Sequence, residues 1–440
     1  MTTYYVRKDG NDTTGNGSTS TPWLTFSKAI ATVAAGDTVK VGDGTYAENT
    51  ASSGYWAIAG NFADWVTFEP ELGAAGSVIV TGTSGSYDVL SNNVCNKIRF
   101  NYITFGGVGT TYVWRLNHAS NGIEFNNCRF APKAGATRGF YFLSATVTVT
   151  GLVFSSCTWV LPASGATYWA VEFSQSSSGH IGASFTNCVI PGIAGGVSVT
   201  ANDLAISFTN CNISGVTGRG LYLVGVCQNV TITNPVLYSR DSNAFYANGA
   251  VNLTIVGGSA NCDATVTTVH LGLDSHTGGL ETTGSITGMT ISHPTDKAGH
   301  GLLVGNGCHD FVVDGVTVPQ AYDYGIVVKE NDGTILRNCP LITAGSSGAL
   351  GCKAATNSSM TNNTFLAAQG YGFRMLLGDT GNLNGNNFLT YNKFRISGAG
   401  QALLWGEAAM DDGGGVCDYN KYKTRGSAGF GEVKGTSGIK

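Results

Sequence analysis

One phrase recurs through this chain and limits what it can become. A glycine or other small residue leads into an apolar-x-apolar segment. A turn follows, then an alternating segment, Asn-Cys, and a second alternating segment. It reads GIEFNNCRF at 122–130, ASFTNCVI at 183–190, AISFTNCNI at 205–213, NVTITNPVL at 229–237 and TILRNCPLI at 334–342. The Asn-like place falls at Asn127, Ser156, Asn187, Asn210, Asn234, Asp314, Asn338 and Asn362. Steps such as 187 to 210 and 338 to 362 are 23 and 24 residues, and the longer ones hold insertions.

Period-two alternation marks strands with one buried face. A repeat of this length has room for three short strands and three turns. Stacked rungs would pair equivalent strands in parallel, about 4.8 Å apart, around one continuous core. Asn suits the corner because it tolerates the left-handed conformation, and its amide could bond along the stack. Cys128, Cys157, Cys188, Cys211 and Cys339 follow that corner and read as small buried hydrophobes with free thiols. The expected fold is all-β: a parallel β-helix with three strands per rung. Propeller blades run to about 40–45 residues, and sandwiches do not repeat in sequence.

Composition agrees. Of 440 residues 63 are glycine, 42% are hydrophobic and only 12% are charged. That excludes ordinary disorder, and the lack of a proline period excludes collagen. The net charge is -4 and no basic block occurs, so no nucleic-acid partner is expected. No apolar run is long enough for a membrane span. The eleven cysteines include no CxxC pair and no zinc spacing. Met1-Thr-Thr-Tyr-Tyr-Val does not read as a signal peptide, so an extracellular or virion-associated place would be reached by another route.

The N-terminal part differs. A short amphipathic helix is expected from Ser27 to Ala35, with Phe26, Ile30 and Val33 on one side. Gly36-Asp37 would end it, and Thr38 to Val41 reads as a strand. A solenoid needs a cap over its first open rung. The expected division is a cap at 1–50, the β-helix at 51–400, and a C-terminal rung with cap or tail at 401–440. The stretch YYVRKDGNDTTGNGS…PWLTFSKAI…AGDTVKVGDGTYAE, residues 4–48, resembles the opening segment of pectate-lyase-like right-handed β-helix proteins. That group includes secreted polysaccharide lyases and phage tail-spike depolymerases. The resemblance implies a right-handed coil and a polysaccharide or oligosaccharide ligand. It also implies a monomer, or a trimer in the case of a spike.

Aligning rungs on the Asn corner places the first strand of each. Its buried pairs would be Leu221/Leu223, Phe245/Ala247, Leu271/Leu273, Leu302/Val304 and Ile326/Val328. The outward column between them would run Arg115, Tyr141, Glu172, Ser198, Tyr222, Tyr246, Gly272, Leu303, Val327, Gly351 and Arg374. Feeding loops carry Trp169, Arg219, Arg240, Asp241, Asp263, Asp296, Lys297, His300, Asp323 and Tyr324. Aromatic and ionisable side chains gather on this face of a charge-poor chain, and tyrosines can stack on sugar rings.

Two phrases there, Gly299-His300-Gly301 and YGIVVK ending at Lys329, resemble the GHG and RIK-type motifs of polygalacturonase-like hydrolases. That family's catalytic aspartates would stand where this chain has Asn243 and Thr268, and its Arg of RIK is replaced by Val327. Inverting hydrolysis needs two carboxyl groups about 6.5–9.5 Å apart, and Asp274 with Asp296 or Glu330 could supply them. β-Elimination of a uronide needs a base and a cation to hold the carboxylate. His300, or Lys329 beside Lys353 one rung on, could be that base, since like charges so close favour a neutral amine. Asp241, Asp263 and Asp274 could hold a Ca²⁺. Trp169, Arg219, Tyr222, Arg240, Tyr246, Asp296, Tyr324 and Arg374 would line the groove. Three readings stand: a lyase on an acidic polysaccharide, a glycoside hydrolase, and a non-catalytic glycan-binding surface or tail-spike protein.

Overall fold

The structure is a computed structural model. It describes residues 1–50, 53–73, 76–143, 148–160, 169–174, 180–191, 195–200, 204–273, 279–343, 345–367, 370–376, 387–397, 401–405, 416–425 and 429–433. The chain forms two compact units, Met1–Val216 and Thr217–Lys440. Each is a stack of rungs whose equivalent strands pair in parallel.

In Met1–Val216 a rung consists of Trp169–Ser174, Ile181–Thr186 and Val189–Pro191. It pairs with Gly195–Thr200, Leu204–Thr209 and Asn212–Val216. The three-strand rung is thus present as the repeat predicts. In Thr217–Lys440 the first strands are Leu221–Gln228, Phe245–Val251, Val269–Leu271, Leu302–Val304, Tyr324–Lys329, Gly348–Lys353 and Tyr371–Leu376. Rungs continue through Gln401–Trp405 and Gly429–Val433. Among the described residues no helix is long and apolar enough to cross a membrane.

The corner column is left-handed, as expected of Asn. Asn127, Ser156, Asn187, Asn210, Asn234, Asn338 and Asn362 all have φ between 48° and 56°. The amides of Asn127, Ser156 and Asn187 in Met1–Val216, and of Asn234, Asn338 and Asn362 in Thr217–Lys440, bond a carbonyl of the next rung, as in Asn187 N to Thr209 O at 2.9 Å. Asp314 does not belong to this column. It ends its strand, and Gly315 (φ 64°) takes the corner, because glycine adopts that conformation without steric cost. The Asp314 carboxylate instead accepts from Asn338 Nδ2 at 2.9 Å and Arg337 Nε at 2.8 Å.

The cysteines after the corner are free and buried. The thiols of Cys128, Cys157, Cys188 and Cys211 bond carbonyls of the rung before, as Cys157 Sγ does to Phe125 O at 3.1 Å, whereas Cys339 Sγ bonds Arg337 O of its own rung at 3.4 Å. Burial pushes the Cys157 thiol well up, and the Cys157 thiol pushes that of Cys188 to about 12. Inert core thiols follow. Further on the same place passes to asparagine. Asn363, Asn392 and Asn420 form a side-chain ladder: Asn392 Oδ1 accepts from Asn363 N at 2.9 Å, and Asn420 Oδ1 from Asn392 N at 2.9 Å.

The cap helix is shorter than expected, Phe26–Ile30 instead of Ser27 to Ala35. Thr25 caps it, its hydroxyl accepting from Lys28 N at 3.0 Å. It stops because Thr32 N turns to Ala29 O at 2.9 Å and the Thr32 hydroxyl to Lys28 O at 2.8 Å. Phe26, Ala29 and Ile30 are buried, and Thr38–Val41 follows as predicted.

Candidate functional site

The first-strand face of Thr217–Lys440 gathers most of the predicted site residues. Strand register fixes one outward column: Tyr222, Tyr246, His270, Leu303, Val327, Gly351 and Arg374. His270 stands where Gly272 was expected, and Val269/Leu271 replace Leu271/Leu273 as the buried pair. The sequence VHLGL alternates equally well in either register. Gly272 decides between them: its φ is 69°, and a Cβ there would meet Asn306 O at 2.4 Å, so the strand must end before it.

At one end of the column lies a stacked platform. The Tyr222 and Tyr246 ring centroids are 5.4 Å apart, and Tyr246 and His270 are 4.8 Å apart. The Arg219 guanidinium sits over both tyrosines, 4.5 and 4.7 Å from their ring centres. Arg219 Nε also reaches Asn243 Oδ1 at 3.4 Å. Burial raises the Tyr246 hydroxyl pKa.

Further along the column is a second group. Tyr324 lies across the sheet, covering Leu303 and Val327. Only glycine lets it do so, since a Cβ on Gly351 would stand 2.8 Å from its ring. Its hydroxyl is 3.4 Å from an Arg374 nitrogen, and Arg374 lies 5.5 Å from the Tyr371 ring centre. His300 meets Tyr324 edge-on, with centroids 5.6 Å apart, and its Nδ1 is 4.0 Å from Asp323 Oδ2.

The glycines flanking His300 pin its backbone. Gly299 N donates to Asp323 Oδ2 at 3.0 Å, Gly301 N to Tyr324 O at 3.1 Å, and Thr268 N donates to His300 O at 3.0 Å. The imidazole is thereby carried on a backbone bonded to the rungs on both sides. Asp323 was noted in a loop by sequence, but nothing there marked it as the partner of His300. Only the rung-to-rung contact does.

The other predicted residues fall as follows. Lys329 and Lys353 are register partners, but Lys329 is 5% exposed and sits below the surface. Glu330 is a left-handed corner residue (φ 51°) whose amide bonds Lys353 O at 2.8 Å. Asp296, Arg240 and Asp241 are exposed in loops. Asp263 accepts from the Tyr238 hydroxyl at 2.5 Å, and that bond raises the Tyr238 pKa. Asp274 lies outside the described residues. Among the described residues, no group of three or more His, Cys, Asp or Glu converges to hold a metal ion. Trp169 belongs to Met1–Val216, where its ring lies against Gly195.

A buried polar trio underlies the His300 loop. His293 Nδ1 is 3.4 Å from Cys262 Sγ and 3.3 Å from Thr268 Oγ1, and Nε2 is 2.9 Å from Lys297 O. Gly299 packs on the His293 ring, where a Cβ would come within 2.8 Å. Desolvation lowers the His293 pKa below its ordinary 6.5. Below that value the unfolded chain binds a proton that the folded chain refuses, so stability is full above about pH 6.5 and falls with acid. Urea midpoints are expected to drop between about pH 7.5 and 5.5, with a flatter profile for His293→Asn. An unchanged slope in that variant would show that His293 is not the responsible group.

Residues 195–409 match the family described as right handed beta helix region, and residues 8–54 match one described as a protein of unknown function, DUF1565. The coil is a right-handed parallel β-helix. A mannuronic acid specific polysaccharide family 6 lyase from human gut microbiota is 9% identical, with a TM-score of 0.46 over 97% of this chain and 87% of that one. A periplasmic alginate epimerase, in mutant form, is 8% identical, with a TM-score of 0.43 over 91% and 84%. The Azotobacter vinelandii mannuronan C-5 epimerase A-module is 13% identical, with a TM-score of 0.38 over 91% and 90%. Among curated proteins no sequence matches.

Proposed function

We propose, taking the right-handed β-helix as premise, that Thr217–Lys440 acts on an acidic polysaccharide along its first-strand face and cleaves it by β-elimination. The observation that carries this reading is the grouping of His300, Asp323, Tyr324 and Arg374. An imidazole, a carboxylate, a phenol and a guanidinium meet at one place on a face that elsewhere stacks aromatic rings.

Each group has a part. His300 takes the proton beside the uronate carboxylate, and Asp323 favours the imidazolium that results. Arg374 holds the carboxylate and the negative charge that grows on it. The Tyr324 hydroxyl, beside Arg374, is placed to give a proton to the departing sugar oxygen. Tyr222, Tyr246 and His270 under Arg219 carry sugars further along the chain. Lys329, being buried, is less suited to the base than His300 is. Hydrolysis is less well supported, because Asp323 already serves the Gly299 amide and faces His300, and Glu330 sits at a corner past the strand end.

The test is to incubate the chain with polygalacturonate, alginate and neutral glucans. An unsaturated uronate, seen by ultraviolet absorbance alongside new reducing ends, is the expected product from an acidic polymer. Reducing ends without that absorbance would make it a hydrolase. Binding without either would make it a glycan-binding module.

A further inference from the structure

We propose that the exposed side of Lys393–Ser397 and Lys421–Arg425, the third strands of two successive rungs in Thr217–Lys440, is a docking surface for an acidic polysaccharide. It takes the class of polymer from the proposed function. It lies on other strands than the first-strand face and does not require that the chain cleave anything.

The two strands pair in register. Lys393 stands beside Lys421 and Arg395 beside Lys423, and Phe394, between Lys393 and Arg395, is buried. All four cations are exposed, and among the described residues none of them has a salt bridge. Paired strands lie about 4.8 Å apart, and alternate residues of one strand roughly 6.6 Å. The four charges therefore mark the corners of a small rectangle. On the strand before, the same two places hold Thr364 and Leu366, and on the one before that Leu341 and Thr343. The charge appears abruptly, in a chain whose 28 acidic residues outnumber its 24 basic ones. Tyr391 and Tyr419 lead into the two strands and are 59% and 66% exposed. Both hold a left-handed backbone (φ 58° and 55°) at a corner where most rungs use asparagine or glycine. Their rings stack on each other at 5.0 Å, so they border the cations without forming an open platform.

Stability does not account for the cluster. Like charges side by side on paired strands repel. Lysines on the edge strand of a sheet discourage pairing with another chain, which would explain Lys421 and Lys423. It does not explain Lys393 and Arg395, whose strand is paired on both sides, to Thr364–Ala367 and to Lys421–Arg425. A polymer with a carboxylate on each sugar meets such a rectangle with several charges at once, whereas a lone small anion reaches one or two. A single-stranded nucleic acid would call for free ring faces on which to stack its bases, and the paired tyrosines do not supply them.

The test titrates the full chain, in a His300→Ala background so that no polymer is consumed, with polygalacturonate and alginate. A neutral glucan, single-stranded DNA and anionic lipid vesicles are run alongside, all at two salt concentrations. Lys393→Gln, Arg395→Gln, Lys421→Gln and Lys423→Gln are combined in one fourfold variant, which should keep its melting temperature because all four side chains are exposed. It should bind at least one polyuronate about tenfold more weakly, the combined effect of several exposed ion pairs, and its binding should respond less to salt. The neutral glucan should bind both forms equally or neither. Polyuronate binding that ignores the four substitutions overturns the surface. So does neutral-glucan binding that falls with them equally, or tighter binding of DNA or vesicles that they abolish. Cleavage is measured separately on the chain with His300 intact. If it cleaves a polyuronate while the four substitutions change no binding, the proposed function stands without this surface. If it cleaves none while the fourfold variant binds more weakly, the surface stands and the proposed function falls. Absence of any polyuronate binding overturns both.

Discussion

The His300→Ala chain is expected to fold like the wild type and to lose about 10²–10⁴ of its rate on an acidic polysaccharide. The two parts of that expectation have different origins. Folding survives because the backbone of His300, not its imidazole, joins the neighbouring rungs: its carbonyl accepts from Thr268 N, and the flanking glycine amides reach Tyr324 O and Asp323 Oδ2. The side chain is 23% exposed, meets the ring of Tyr324 edge-on and lies 4.0 Å from Asp323 Oδ2, so alanine removes little apolar core. A merely solvated side chain would shift stability by under about 0.5 kcal/mol and leave the rate alone. The loss of rate comes from removing a positioned base. Asp323→Asn should act in the same direction and more weakly, since it removes the charge that favours the imidazolium but keeps the ring. Measured rates on a uronate polymer with matched melting curves decide the matter. A His300→Ala chain that cleaves at the wild-type rate places the base elsewhere, and a dead Lys329→Ala beside it would point to the lysine.

The repeat made the fold legible because a β-helix writes its geometry into every rung. The Asn corner must be left-handed, the next residue must be small and buried, and alternation must keep one face inward. Where these demands coincide, as at Asn187-Cys188 and Asn210-Cys211, the structure has what the spacing predicts. Where glycine could serve, the pattern blurred. Gly315 took the corner from Asp314, and Gly272 ended a strand one register early, bringing out His270. The candidate site was legible as a face but not as a set of partners. Tyr222 beside Tyr246 followed from alternation. The approach of Asp323 to His300 and of Arg374 to Tyr324 did not, because it spans rungs and depends on which glycines let a ring lie flat. Lys329 failed to reach the surface for a related reason: alternation gives the direction of a side chain but not what lies over it.

Phe154→Ala is expected to destabilise Met1–Val216 by about 3–5 kcal/mol, the range for truncating a fully buried phenylalanine. Phe68, Phe100, Phe125, Phe154, Phe185 and Phe208 form a continuous column of stacked rings through this unit's core, with centroids 4.7–5.7 Å apart. Phe154 also meets Phe130, Phe140 and Trp159. Alanine would leave a cavity walled by rings too rigid to collapse into it, and a solenoid passes the loss to its neighbours because each rung is held by the next. The matching column of Thr217–Lys440 is aliphatic, running Ile232, Ile255, Ile286, Val313, Leu336, Met360 and Leu389. There Ile255→Val should cost only about 0.5–1.5 kcal/mol. Tryptophan fluorescence separates the two, since six of the seven tryptophans lie in Met1–Val216. In urea, Phe154→Ala should move the fluorescence transition to much lower denaturant, and Ile255→Val should leave it nearly in place. A fluorescence midpoint unchanged by Phe154→Ala would mean that the ring column is not what holds this unit together.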